Sequence, residues 1–343
     1  MTHTPKQLEK PRIGITIGDL NGIGPEVVIK ALGDARVTSF FTPVIYGSSR
    51  VLSYYKKALN LEEFNFTTVR NRGQFAPRHV NAVNCWEDVI EVTPGKPSAE
   101  AGAAALKALQ SACDDIKEGL IDALVTAPID KSTIHSEAFP FRGHTEFLAR
   151  EFGKGDSLMF MISETLRVGL VTDHEPLREV PNLITAERIE QKLKLMEASL
   201  KGDFGISKPR IALLGLNPHA GDGGLIGNEE QEVIRQVVSA QRSKGKLVVG
   251  PLPADGFFGN GQYRQYDGVL AMYHDQGLVP FKTLAFEDGV NFTAGLSVVR
   301  TSPDHGTAYS LAGKNQASES SMRAAIFTAA DIFRRRQEQS KER

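Results

Sequence analysis

The segment Ile13-Gly14-Ile15-Thr16-Ile17-Gly18-Asp19-Leu20-Asn21-Gly22-Ile23-Gly24-Pro25-Glu26 passes from β-branched residues through a glycine-rich turn into a proline and a glutamate. That order predicts a buried strand, a tight turn and a helix with Pro25 in its first turn, where an N–H would lack a partner anyway. Glycines let the backbone turn sharply and approach a ligand closely, and Asp19 and Asn21 offer polar groups at that point. The bland alternative is a simple strand-to-helix connection. The spacing is not GxGxxG, so the common dinucleotide fingerprint is absent. It is not GxxxxGK[ST] either, which disfavours P-loop phosphoryl transfer.

Outward from this unit the pattern repeats. Short apolar runs rich in β-formers occur at Val44–Tyr46, Ala123–Val125, Val168–Val171, Ile211–Leu214, Leu247–Val249 and Val269–Met272. Amphipathic helical patterns lie between them over 101–117, 185–201 and 229–244. In the second of these Thr185 can cap the helix and Ile189, Leu193, Met196 and Leu200 share a face. Alternating strands and helices predict an α/β fold with a mostly parallel sheet, layered α/β/α. The region from Leu61 to Pro97 yields no clear reading. At 343 residues the chain exceeds one typical domain, so two subdomains are expected. The first spans 1–134 with about 303–343, and the second spans 135–302.

Composition narrows the function. A formal net charge of -1 with mixed signs leaves no basic footprint for nucleic acid or an anionic membrane. The charged end, Arg334 to Arg343, reads as a solvated helix end or tail. Cys85 and Cys113 are the two cysteines; with no CxxC spacing and no disulfide framework they fit a reducing compartment. The stretch from Met1 to Lys10 is polar and holds no apolar segment of a secretory signal. A cytoplasmic protein is expected.

Three of the eight histidines stand in equivalent places. His174 follows the run at 168–171, His219 the run at 211–214 and His274 the run at 269–272. Each lies just past the carboxyl end of an expected strand, the edge where open α/β sheets bind ligands. Three neutral imidazoles there would form an open divalent-metal site; ordinary loop histidines are the competing reading. Thr126-Ala127-Pro128-Ile129-Asp130-Lys131 follows another such run and can line the same edge. Gly143-His144-Thr145-Glu146 opens a helix, either as an anion site or as a simple cap. Lys282 and Arg300 follow apolar or glycine-rich context, which suits cations turned toward a carboxylate or phosphate.

Taken together, the segments GDLNGIGPE, TAPIDK, GHTEF, LNPHAGDGG, GPLPADGFF, AMYHDQGL and GVNFTAGLSVVRTSPDHGTAYSLAGK resemble the 4-hydroxythreonine-4-phosphate dehydrogenase family over nearly the whole chain. GIGPE and HGTA…AGK are also similar to the isocitrate and isopropylmalate dehydrogenases. The resemblance implies two subdomains around a cleft in that wider fold, and NAD or NADP held by Asp304, His305, Gly306, Thr307 and Ala308. It implies a divalent metal, Zn2+ first with Mg2+ or Co2+ as alternatives, on His174, His219 and His274. It places substrate contacts at His144, Thr145, Lys282, Asn291 and Arg300, and implies a homodimer whose subunits both supply metal histidines. Two departures stand out: Asp173, where the family often has threonine, and the segment 283–290.

The reaction implied is oxidation of 4-phosphohydroxy-L-threonine at C3 and decarboxylation to 3-amino-2-oxopropyl phosphate, in pyridoxal 5'-phosphate synthesis. Lys282, His144 or hydroxide on the metal are the candidate proton acceptors. One rival is a dehydrogenase of D-threonate or D-erythronate 4-phosphate in sugar-acid catabolism. A rival of another class is a metal-dependent hydrolase, which the HGTA…AGK loop argues against.

Overall fold

The computed structural model describes residues 10–342. The polar stretch before Lys10, read above for a signal, and Arg343 lie outside them. The chain divides into two compact units, one of 1–144 with 298–334 and the other of 145–297 with 335–343. The sequence had placed these boundaries at 134/135 and 302/303.

The first unit holds β1 (Arg12–Thr16), β2 (Thr42–Gly47), β3 (Phe66–Thr68), β4 (Val80–Asn84) and β5 (Ala123–Thr126). The second holds β6 (Gly153–Ile162), β7 (Arg167–Leu170), β8 (Arg210–Leu214), β9 (Leu247–Leu252), β10 (Gly268–Ala271) and β11 (Val290–Leu296). The chain then supplies β12 (Val299–Pro303) to the first unit.

In the first unit the strand order is β3-β4-β2-β1-β5-β12, with every neighbouring pair parallel. Parallel strands covered on both faces read as continuous apolar runs. Accordingly β1, β2 and β5 are almost wholly buried, with Ile13, Ile15, Tyr46 and Leu124 at 0% exposure. The helix Gly24–Ala31 follows β1 with Pro25 in its first turn, as its sequence dictates. The helix Ala99–Lys117 begins at Ser98, whose side chain accepts from the Ala101 N–H and caps it.

In the second unit the order is β11-β6-β7-β10-β8-β9. The four strands from β7 to β9 run parallel, whereas β6 is antiparallel to both β11 and β7. The core here gathers Val168, Leu170, Ala212, Leu214, Val269, Ala271, Leu278 and Phe281. The helix Ala186–Gly202 starts at Thr185, whose hydroxyl accepts from Arg188 N–H, and buries Ile189, Leu193, Met196 and Leu200.

Several expectations change. The unread region from Leu61 to Pro97 contains β3 and β4. The helix expected over 229–244 divides into a π-helical turn, Glu230–Ile234, and an α-helix, Arg235–Ser243. The charged end, expected as a solvated helix end or tail, is a helix end. It continues the helix Ser320–Glu342, and Arg336 pairs with the buried Asp203 at 2.7 Å while Gln339 donates to the Lys201 and Gly202 carbonyls. Among the described residues, no helix is long and apolar enough to cross a membrane.

Candidate functional site

In the second unit, the three histidines stand beyond three neighbouring strands. Strand order β7-β10-β8 places His274 on the middle one, flanked by His174 and His219. The β7–β10 ladder continues past both strands: Val171 N–H donates to the Ala271 carbonyl and Thr172 N–H to the Met272 carbonyl. The buried Thr172 hydroxyl donates to that same Met272 oxygen at 2.7 Å. Two residues later in each strand come His174 and His274, with ring centroids 5.5 Å apart and planes inclined by 46°.

That spacing fits a shared ion. Two imidazoles on one tetrahedral centre, with nitrogens about 2.0–2.1 Å from it, would hold their centroids roughly 5 Å apart. His274 Nδ1 lies 2.8 Å from Asp275 Oδ1, an outer contact that fixes the ring and leaves Nε2 for a ligand. Asp173 Oδ1 accepts the His174 N–H at 2.8 Å and so belongs to the turn itself. Among the described residues no group of three His, Cys, Asp or Glu side chains converges within one chain to hold a metal, so His219 does not join this pair to make a triad. His219 occupies a left-handed turn at φ 54°. For residues with a Cβ that conformation costs about 1–2 kcal/mol each.

Also in this unit, Lys282 is half-buried on the helix His274–Leu284 that His274 opens. Asn291 sits on β11 opposite Met161. Its Oδ1 is buried with no hydrogen-bond partner among the described residues. A buried acceptor left so is costly unless a ligand completes it. Thr145, half-buried, is the second residue of the helix His144–Phe152.

The first unit holds Arg300 and His144. Arg300 on β12 is 3% exposed, and its Nη2 donates to Thr126 Oγ1 at 2.8 Å. Burial pulls its guanidinium down to about 10, so it remains charged near neutrality. His144 is pushed well below the usual imidazole value, first by burial and then by the Arg300 charge. Its Nε2 is closed off from solvent without a hydrogen-bond partner among the described residues. A buried guanidinium and a neutral imidazole with an open nitrogen suit an oxygen-rich anionic ligand.

The 304–308 loop follows β12. Asp304 N–H donates to Ser321 Oγ at 2.9 Å, and the Thr307 carbonyl accepts Ile23 N–H at 2.9 Å. Gly306 is exposed, with nothing within 4 Å of where a Cβ would stand. These partly exposed polar groups, with open space at the glycine, fit a nucleotide lying along the loop.

The glycine turn after β1 behaves differently from its expectation. Asp19, Asn21 and Glu26 are all 0% exposed and serve the protein rather than a ligand. Asn21 accepts from Thr93 N–H and donates to the Lys96 carbonyl. Glu26 holds Lys30 at 2.7 Å and Ala317 N–H at 3.1 Å. Asp19 Oδ2 and Asp130 Oδ2 both meet the Tyr309 hydroxyl, at 2.8 and 3.0 Å. Gly18, at φ +68°, leaves no room for a side chain, since a Cβ would fall 2.2 Å from the Pro128 carbonyl. The sequence overlooked Tyr309, although its place one residue past the 304–308 loop was visible.

Comparison with known proteins gives a consistent picture. The family model described as "Pyridoxal phosphate biosynthetic protein PdxA" matches residues 39–329. A 4-hydroxythreonine-4-phosphate dehydrogenase of Bacteroides thetaiotaomicron is 54% identical, over 96% of this chain and 90% of that protein. One of Sulfurihydrogenibium is 41% identical, over 92% of this chain and 96% of its own. The crystal structure of a protein of that name from Klebsiella pneumoniae, 36% identical, matches with a TM-score of 0.80 over 95% of this chain and 98% of its own.

Proposed function

The chain belongs to the PdxA family of pyridoxal phosphate biosynthetic proteins, and from that premise we propose that it oxidises 4-phosphohydroxy-L-threonine with NAD and decarboxylates the product. The observation that carries the chemistry is the pair His174 and His274, 5.5 Å apart at neighbouring strand ends. Together with His219, supplied by the second subunit of a homodimer, they would hold a divalent ion, Zn2+ in the first instance. When bound, that ion supplies Lewis acidity to the C3 oxygen and the nicotinamide supplies the hydride acceptor.

The protein's own groups do the rest. Arg300 binds an anionic end of the substrate, while Asn291 completes its unpaired Oδ1 against a substrate donor such as the C2 ammonium. Desolvation works against proton uptake by His144, which makes it a hydrogen-bond partner for the substrate beside Thr145. Among this chain's own side chains, that leaves Lys282 to take the C3 hydroxyl proton. Loss of the C3 hydrogen with its electron pair, for which a bound nicotinamide would be the acceptor, gives a β-keto acid. Its C1–C2 bond breaks with loss of carbon dioxide, the electron pair stays at C2, and a proton adds there to give 3-amino-2-oxopropyl phosphate. The 304–308 loop holds the adenine nucleotide.

Exposed apolar residues support the dimer. Leu177 lies past His174, Leu225 and Ile226 past His219, and Val279 and Phe286 past His274, with Leu225 at 84% and Phe286 at 78% exposure. Covering such residues with a second copy would place that copy beside the histidines. Neither Cys85 nor Cys113 forms a disulfide, in keeping with a cytoplasmic setting.

The substrate is tested by following NADH formation from 4-phosphohydroxy-L-threonine and from D-threonate 4-phosphate, with a divalent metal present. Faster turnover of the amino substrate supports the assignment. Preference for the threonate moves the protein to sugar-acid catabolism, and no NADH from either contradicts the proposal.

A further inference from the structure

Six successive residues from His219 have positive φ: His219 54°, Ala220 51°, Gly221 79°, Asp222 40°, Gly223 69° and Gly224 103°. His219, Ala220 and Asp222 carry a Cβ that resists this region, so the run persists only where its surroundings over-determine it. Those surroundings converge on Glu230, which is 0% exposed. Its Oε1 accepts the N–H groups of Leu216 and Asn217, each at 2.7 Å, and its Oε2 accepts from Asn217 Nδ2 at 3.0 Å. Asn217 Nδ2 also reaches Glu229 Oε2 at 2.8 Å. Leu216 and Asn217 lead directly into the turn. A Cβ added to Gly221 would stand 2.6 Å from Glu230 Oε2, which puts loop and carboxylate in direct contact. Glu230 opens the π-helical turn Glu230–Ile234, a local irregularity that recurs at functional sites.

A second tie runs between strand ends. Gln276 Nε2 donates to the Gly215 carbonyl at 2.6 Å, and its Oε1 accepts Met272 N–H at 2.7 Å. One side chain thus spans the strand end that leads to His219 and the strand end that leads to His274.

We infer that Glu230 and Gln276 are positioning residues for the metal-binding imidazoles. Glu230 holds the left-handed turn that presents His219, and Gln276 braces the strand end that carries His274 against the strand end before that turn. Both act through the backbone, and the inference rests on the metal reading of the histidines.

The test uses full-length Glu230→Gln, Gln276→Met, Gly221→Ala and His219→Ala, each stripped of metal and titrated with Co2+ against a chromophoric chelator. The visible spectrum of bound Co2+ and the urea midpoint of the stripped protein are recorded alongside. His219→Ala should lose high-affinity Co2+ binding. Glu230→Gln and Gln276→Met should bind Co2+ about 10–100-fold more weakly with altered visible bands, the usual effect of losing an outer-shell support. A merely structural role would lower the urea midpoint and leave the affinity and spectrum of folded protein unchanged. That result, with His219→Ala still defective, overturns the inference and spares the metal reading. Wild-type Co2+ binding by His219→Ala removes the metal reading and the inference with it. If Glu230→Gln does not fold, Gln276→Met and Gly221→Ala decide the question in the same way.

Discussion

The Thr172 hydroxyl donates to the Met272 carbonyl at 2.7 Å, fully buried, and this bond fixes two strand ends two residues before His174 and His274. The imidazole pair therefore stands on a rigid ladder rather than on loose loops. Replacing either imidazole should remove a metal ligand without disturbing the sheet beneath. His174→Ala is expected to lower kcat by at least about 100-fold, with a near-normal urea midpoint, because the ion's Lewis acidity is lost with its ligand. Circular dichroism and steady-state kinetics check this together; full activity in that variant would exclude His174 from the site.

Arg300 offers a sharper test of substrate binding. A charge-assisted hydrogen bond contributes about 1.5–3 kcal/mol, so Arg300→Ala should raise the substrate KM roughly 10- to 150-fold. Arg300→Lys should recover little of that, since an ammonium cannot reproduce a planar fork that also engages Thr126. Initial-rate measurements at saturating NAD separate these outcomes. An unchanged KM in both variants would place the anion elsewhere.

His144 couples the site to pH. Its folded-state pKa lies well below the ordinary imidazole value of 6.5 because burial disfavours the charged ring. The unfolded chain binds the proton more readily, so stability is lost as pH falls through and below about 6.5. Urea unfolding at pH 7.5 and pH 5.5 should show a smaller acid loss for His144→Asn than for the native chain. Equal losses would mean that His144 is not held neutral.

Tyr309 joins two carboxylates with one hydroxyl. Asp19 is shifted upward, chiefly by burial and partly by the Asp130 charge, with hydrogen bonds including that from Tyr309 opposing the rise. Tyr309→Phe leaves the buried Asp19 with one partner fewer, at a cost of about 1–3 kcal/mol. It also frees the end of the 304–308 loop. The NAD KM should rise several-fold while the KM for the phosphorylated substrate stays near native. Parallel titration of the two substrates checks this, and a change confined to the phosphorylated substrate would separate Tyr309 from the nucleotide loop.

Much of this arrangement is legible in the sequence, for a physical reason. Buried parallel strands are continuous apolar runs, so β1, β2, β5, β7, β8 and β10 declare themselves, as does the edge strand β9 through Leu247–Val249 although it is partly exposed, and a histidine past a run declares its edge. β6 does not, because Gly153-Lys154-Gly155-Asp156 opens it with polar and glycine residues directly after a helix. β12 is hidden because Arg300 interrupts its apolar pattern; only the fold shows that this arginine is buried against Thr126. Strand order is equally silent, since β10 lies between β7 and β8 in space but follows both in sequence. Glu230 lies in no quoted motif, and Gln276, although inside AMYHDQGL, gives no sign of its role, because both act on backbone groups that any sequence possesses. Asp19 and Asn21 mislead in the opposite sense: polar residues in a glycine turn suggest a ligand, and here they are spent on Tyr309 and the 93–96 segment.

The most direct test of the central claim is NADH formation from 4-phosphohydroxy-L-threonine by protein dialysed against a chelator and then resupplied with Zn2+ or Co2+. The account predicts that dialysis abolishes turnover, that a divalent ion restores it in the native protein, and that His274→Ala stays inactive at the same ion concentration. Undiminished NADH formation after removal of the metal would contradict it.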